Sequence, residues 1–168
     1  SLAPAMDDIF DQVGARVIVV RVDEDADDAV EMANVIGGVT DGVYTGLHAL
    51  EAAQSVTGLR PRILIATGYS ENAAVAAELA VVAAALGGAS YVDGAATTDS
   101  AAIAYKTTIA NERLYLVDPS ATVFDTETAA NITRPFSARF AGIRAKVDQE
   151  QGFWESISNW PVTGIVGT

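Results

Sequence analysis

At 168 residues, half of them hydrophobic, the chain is long enough for one domain built around a single substantial core. It carries no cysteine, which excludes disulfides and thiolate metal sites. Its formal net charge of −12, from 22 acidic against 10 basic side chains, opposes direct binding to nucleic-acid phosphates and insertion into anionic membranes.

The first stretch, SLAPAMDDIFDQVG, has neither the basic flank nor the unbroken apolar core of a secretory signal, so the expectation is a protein that folds in a cytoplasm. From Ala5 to Val13 the apolar residues Met6, Ile9, Phe10 and Val13 fall at helical spacing with Asp7, Asp8 and Asp11 between them, which predicts a short amphipathic helix closed by Gly14. Arg16 to Val22 (RVIVVRV) is nearly continuous in branched residues and reads as a buried strand. Asp23 to Asp28 then places five acidic residues in six. Hard cations take several carboxylate oxygens, but this run lacks the glycine and the late glutamate of a calcium-binding loop, and a solvated loop is the better reading.

Glu31 to Ile36 is compatible with a short helix or an extended segment, ending at Gly37-Gly38. Thr45 is placed to cap a helix running to about Val56, with Leu47, Leu50, Ala52 and Ala53 for packing and Gly58 just past its end. His48, the only histidine, lies here. Without cysteine or a second histidine it forms no conventional zinc cluster, and no nucleophile motif supports a Ser-His-Asp triad, so a structural or surface role is expected.

The chain is organised around Gly58 to Gly88, which reads as strand, turn, helix and stop. Ile63 to Ala66 lacks the alternation of a strand with one wet face, so it suits a parallel strand covered on both sides. After the turn at Gly68-Tyr69-Ser70, a run of Ala, Leu and Val to Leu86 leaves only Glu71, Asn72 and Glu78 polar. A helix so apolar is expected to be covered on nearly every side, its outer face meeting another part of the fold or another copy of the chain. It is shorter than the ~20 apolar residues a bilayer span takes.

Ala89 to Gly94 is the next predicted strand, with Asp93 at its C-terminal end. Asp99 or Ser100 caps a helix through about Ile109, and Glu112 to Val117 forms a fourth strand ending in Asp118-Pro119. Asp93 and Asp118 are thereby expected side by side where open parallel sheets often place ligand chemistry. Asp-Gly and Asp-Pro are also ordinary turn pairs, which is the favoured reading. Ala121 to Phe124 extends the fourth strand or starts another, before a polar turn from Asp125 to Asn131. Thr133 with Pro135 signals a helix start. Phe136, Phe140, Ile143 and Val147 then form an apolar stripe, with Arg139, Arg144 and Lys146 facing elsewhere. From Gly152 the chain is irregular, and Trp154 and Trp160 are expected to be exposed unless something covers them.

The succession of strands and helices gives a three-layer α/β fold with a mostly parallel sheet of about four strands and flanking helices. Its strand-to-helix turns, ATGYSENA and VDGAATTDS, match no dinucleotide fingerprint, and there is neither a phosphate loop ending in Gly-Lys-Ser/Thr nor a Gly-x-Ser-x-Gly elbow. No catalytic, cofactor-binding or metal-binding residue is assigned. The alternative is an enzyme or receiver-like α/β domain using Asp93, Asp118 and the Asp23 cluster with magnesium; a scaffolding module of some unrelated assembly is a third reading.

Several stretches in one order carry a resemblance: DDIFDQVGARVIVVRV, NVIGG with YTGLHALEAA, TGLRPRILIATGYS, ASYVDGA, RLYLVDPSATVFD and SARFAGIRAKVDQEQGFWESISNWPVTGIVG. The last is the most specific, with Ala141-Gly142 and Asp148 leading into Gly152-x-Trp154-x-Ser156-x-Ser158-Asn159. Together they resemble the tail sheath proteins of contractile-tailed bacteriophages and related injection devices. The resemblance implies a non-enzymatic virion tail subunit, assembled in the bacterial host cytoplasm, that polymerises with other copies as a helical sleeve around an inner tube protein. The sleeve contracts to drive the tube through a host envelope. It also implies an α/β core domain over residues 1–150 and an irregular segment, 151–168, leading toward a C-terminal region not evident here. The extended arms that link neighbouring subunits in the family by strand addition are not evident either, which fits an excised or trimmed fragment.

Overall fold

The computed structural model of the chain describes residues 2–94 and 97–168. Ser1 and the Ala95-Ala96 centre of the VDGAATTDS turn lie outside the described residues.

The centre of the molecule is a three-stranded parallel sheet in the order β3 (Ile63–Ile65), β4 (Ala89–Asp93), β5 (Leu114–Val117). Ile63 pairs with Ala89, and Ser90 with Leu114. Successive side chains leave a strand on opposite faces, and this period divides the core in two. Leu64, Val92 and Leu114 pack under α4 (Ala73–Leu86) with Val75, Leu79 and Val82. Tyr91, Val117, Ile63 and Ile65 look the other way, toward Phe136, Phe140 and Ala141 at the start of α6 (Ser137–Glu150). Helices on both faces make the three layers.

Asn72 caps α4 by accepting from the Ala74 N–H, and Gly87 ends it at a φ of 65° that a side chain would strain. A Cβ on the next residue, Gly88, would stand 2.4 Å from the Arg62 carbonyl, so the return from helix to strand passes too close to β3 for anything larger. The helix is not covered all round. Ala74, Ala77, Val81, Ala84 and Ala85 remain exposed as one stripe, because the fold places its sheet and neighbouring helices against the opposite face only.

Several expectations are corrected. Residues 16–22 are extended but join no ladder; Ile18, Val20 and Val22 pack against the first core while Val19 is 47% exposed. The ambiguous segment before Gly37 is a helix, α2 (Asp28–Ile36), because Asp27 of the acidic run accepts from the Ala29 N–H and caps it. Between them and the central unit lies a hairpin that was not anticipated, β1 (Gly38–Thr40) with β2 (Val43–Thr45). Its signal was Asp41-Gly42, both at positive φ as a tight two-residue turn demands. Thr45 does not cap a helix. Its hydroxyl bonds back to Gly38, and the chain makes a 3-10 helix (Gly46–Leu50) and a short α3 (Ala53–Thr57) instead of one helix.

α5 (Asp99–Thr108) is capped by Thr98, through the Ala101 N–H, rather than by Asp99 or Ser100. Ala121 starts a second antiparallel hairpin, β6 (Ala121–Asp125) and β7 (Ala130–Arg134), so Thr133 lies in a strand and no side chain of its own segment caps α6. The irregular segment after α6 runs back over the second core, where Ile157, Val162 and Ile165 pack and Gly167 pairs with Thr122. Trp154 is 71% exposed, whereas Trp160 is half-buried. Among the described residues, no helix is long and apolar enough to cross a membrane.

Candidate functional site

The strand ends are the place to look for chemistry in such a sheet. The register brings Asp93 opposite Val117, and the Asp118 side chain lies against Gly94, where an added Cβ would be 2.4 Å from its Oδ1. The two residues thus stand at neighbouring C-terminal strand ends, of β4 and β5. What they do there is structural on the Asp93 side.

Asp93 is 3% exposed, and its oxygens are engaged within the chain. Oδ1 accepts from the Ser137 N–H at 2.8 Å, and Oδ2 accepts from the Ser137 hydroxyl at 2.6 Å and the Ser70 hydroxyl at 3.2 Å. Ser70 Oγ in turn accepts from the Asp93 N–H at 2.9 Å, and its carbonyl accepts from the Tyr105 hydroxyl. Thr67 touches Ser137 Oγ at 3.2 Å. A carboxylate is favourable at a helix N-terminus, so Asp93 supplies in space the cap that α6 lacks in sequence. Burial, reinforced by the charge of Asp93, raises the pKa of nearby Glu71, and burial pushes that of Tyr105 up to about 12.

A second polar centre was missed from sequence. Arg139, expected to face away from the core, is 2% exposed, and Asp8 of α1 (Leu2–Phe10) is 1% exposed. Arg139 Nη2 meets Asp8 Oδ1 at 2.7 Å and Nη1 meets Asp11 Oδ2 at 3.1 Å, while Nη1 also donates to the Thr163 carbonyl. Arg134 reaches Asp8 at 3.4 Å and Asp125 at 3.6 Å. Gln12 pairs with the Thr163 backbone in both directions at 2.9 Å. Gly142 makes this possible: a Cβ there would stand 2.8 Å from the Ile9 carbonyl, so only glycine lets α1 sit so close on α6. Burial raises the Asp8 pKa, against the pull of Arg139 and Arg134. Strict apolar periodicity could not reveal a helix whose buried face includes an ion pair. Phe10, counted on the apolar face, is 47% exposed for the same reason.

The remaining candidates are also internal ties. His48 sits between Glu51 at 2.7 Å and Glu78 at 2.9 Å, joining the 3-10 helix to α4. The acidic run 23–28 is solvent-exposed apart from the capping role of Asp27. Among the described residues, no group of three His, Asp or Glu side chains is arranged to hold a metal ion. In the most specific stretch, Arg144 holds Asp148 at 2.5 Å and donates to the carbonyls of Glu155 at 2.6 Å and Gly152 at 3.3 Å, which fixes the turn leaving α6. These residues shape backbone.

Beside the acidic surface, apolar side chains are also presented outward. Val56, Val81, Ile103, Phe153 and Trp154 are each more than half exposed, and the first hairpin adds Val39 and Val43.

A family model described as the phage tail sheath protein central domain matches residues 42–168. The chain is 38% identical over 169 residues to a protein of Pseudomonas aeruginosa (strain UCBPP-PA14) described as a prophage major tail sheath protein; the match takes in all of this chain and 44% of that protein. It is 36% identical over 175 residues to the tail sheath protein of Escherichia phage P2, covering 99% of this chain and 44% of that one. To the tail sheath protein of Burkholderia phage BcepMu it is 35% identical over 147 residues, 82% of this chain and 31% of the relative. The chain therefore spans less than half the length of these relatives.

Proposed function

The chain belongs to the phage tail sheath protein family, and from that premise we propose that it is the central part of a structural subunit of a contractile tail, with no catalytic activity of its own. The subunit assembles with other copies into a helical sleeve around an inner tube protein, and contraction of the sleeve drives the tube through a host cell envelope. Its place is the virion tail, after assembly in the cytoplasm of the bacterial host. Residues 1–150 act as the α/β body and 151–168 as the lead toward a further region of the subunit. It binds neither nucleic acid nor membrane directly.

The observation that carries this reading is the ordered match over the chain to sheath proteins. The structure supports it physically. The Asp93 carboxylate is consumed by internal hydrogen bonds, while exposed apolar side chains lie on several separate elements. Contacts between unlike faces of identical bodies need not close on themselves and so generate helices. A body tied by the buried Asp8–Arg139 pair and two apolar cores suits movement as a rigid unit past its neighbours.

The test is electron microscopy of the full-length gene product expressed alone, with sedimentation of the 168-residue chain beside it. Hollow tubes of uniform diameter, and a chain that sediments as a monomer, are expected. A full-length product that forms only closed globular oligomers would overturn the proposal.

A further inference from the structure

A cavity of about 610 Å³ lies beside the free edge of β3. Its position is more informative than its size. One wall is β3 and its flanks, Pro61 to Thr67; the opposite wall is the extended segment 17–22. Met6, Ile9 and Ala141, from α1 and α6, line it on one face, and Val35, Leu47 and Leu50, from α2 and the 3-10 helix, line it on the other. The cavity thus lies in the plane of the sheet, between two helical layers and between two extended backbones.

Both backbones lack partners on the cavity side. β3 pairs only with β4, and its Arg62 carbonyl accepts from the Ala89 N–H. Because successive peptide groups of a strand point to alternate sides, Arg62 and Leu64 turn toward β4, and Ile63 and Ile65 turn their N–H and C=O groups toward the cavity. Among the described residues, no backbone hydrogen bond involves residues 17–22, although Ile18, Val20 and Val22 alternate onto the first core as a sheet strand would. Ile63, Ile65, Ile18, Val20 and Val22 are half-buried, and two unpaired extended edges lining one largely apolar gap have the form of a vacancy in a ladder. Neighbouring strands lie about 4.8 Å apart, and one strand between the two walls would restore the ladder on both sides.

We infer that this cavity is the slot for one further β-strand, supplied by the part of the same sheath polypeptide that lies outside these 168 residues. The inference rests on the sheath reading above. The occupant's chemistry follows from the lining. Apolar residues meet it from both helical layers, so it is a run of about five consecutive apolar residues, and not an alternating strand with one wet face. Its source follows from two observations. The relatives are more than twice the length of this chain, and the strands within the chain are already paired with one another. Helices of this chain flank the slot above and below although its outer wall is part-exposed, and that framing by the chain's own elements favours the subunit's own polypeptide over a neighbour.

The test is amide hydrogen exchange, residue by residue, on the 168-residue chain and on the full-length polypeptide kept monomeric at low concentration. In the 168-residue chain, the amides of Ile63, Ile65 and 17–22 are expected to exchange freely while those of β4 are protected. In the monomeric full-length protein the same amides slow by about two orders of magnitude or more. If they slow only after tubes assemble, a neighbouring subunit supplies the strand and the own-chain assignment falls. If they stay fast in both states, or are already slow in the 168-residue chain, the slot itself is wrong. Protection in a full-length monomer that never forms tubes would leave the slot standing and remove the sheath reading instead.

Discussion

On the α4 side of the sheet, Leu64, Val92 and Leu114 meet Val75, Leu79 and Val82, and the only buried polar side chain among the sheet residues facing them is Ser90, which donates to the Leu79 carbonyl. On the α6 side, Tyr91, Phe136 and Phe140 share the interface with Asp93, Ser137, Asp8 and Arg139, every one of them at least nine-tenths buried apart from Phe140. The first face is held by area and shape, which tolerate exchange of one hydrocarbon for another of like volume. The second is held by groups that are costly when unpaired and therefore accept one arrangement of α1, α6 and the returning segment. One face supplies bulk stability, and the other specifies position.

Breaking the ion pair should separate the two faces most sharply. Arg139→Met leaves the Asp8 carboxylate buried without its main partner, an expected loss of about 3–5 kcal/mol, read as a fall in the melting temperature. Replacing both, Asp8→Leu with Arg139→Met, should recover most of that loss; a double variant as unstable as the single one would show that the pair is not the cause. Leu79→Ala on the other face removes a fully buried side chain and should cost about 2–4 kcal/mol in denaturant unfolding. No second substitution of a charged partner will rescue it. Combined with Arg139→Met its effect should add, because the sheet lies between the two sites; marked non-additivity would mean that the faces are coupled through β4. Ser137→Ala is the mildest probe. It removes one hydroxyl donor from Asp93 but keeps the backbone N–H of residue 137, and about 1–2 kcal/mol should be lost, with early exchange of the first α6 amides as the local signature.

The same contrast explains what could be read from the amino-acid order. The apolar runs at 63–66 and 114–117 and the Ala-rich helix after Asn72 declare the parallel layer, because burial on both sides leaves a simple hydrophobic record. The α6 face leaves none. Asp8 looks like one more surface acid beside Asp7 and Asp11, and Arg139 reads as solvent-facing until α1 is laid against it 131 positions away. The α6 cap was equally hidden, since Asp93 is 44 positions from the N–H it receives. Asp41-Gly42, by contrast, is a legible turn signal, and Asp27 a legible helix cap. Residues 16–22 have the composition of a strand without a ladder, which is what the vacancy beside β3 accounts for. Of the strand-end carboxylates, adjacency was foreseeable from topology, but only packing shows that Asp93 is fully occupied.

Thr163 and α1 both fasten on Arg139, so one residue of α6 ties an early helix to a late segment of the chain. A pull entering through either route is expected to converge on the same buried guanidinium and to load several bonds in parallel, in place of peeling one strand after another. In the sheath subunit proposed above, such a junction is expected to let tension cross the body without opening it.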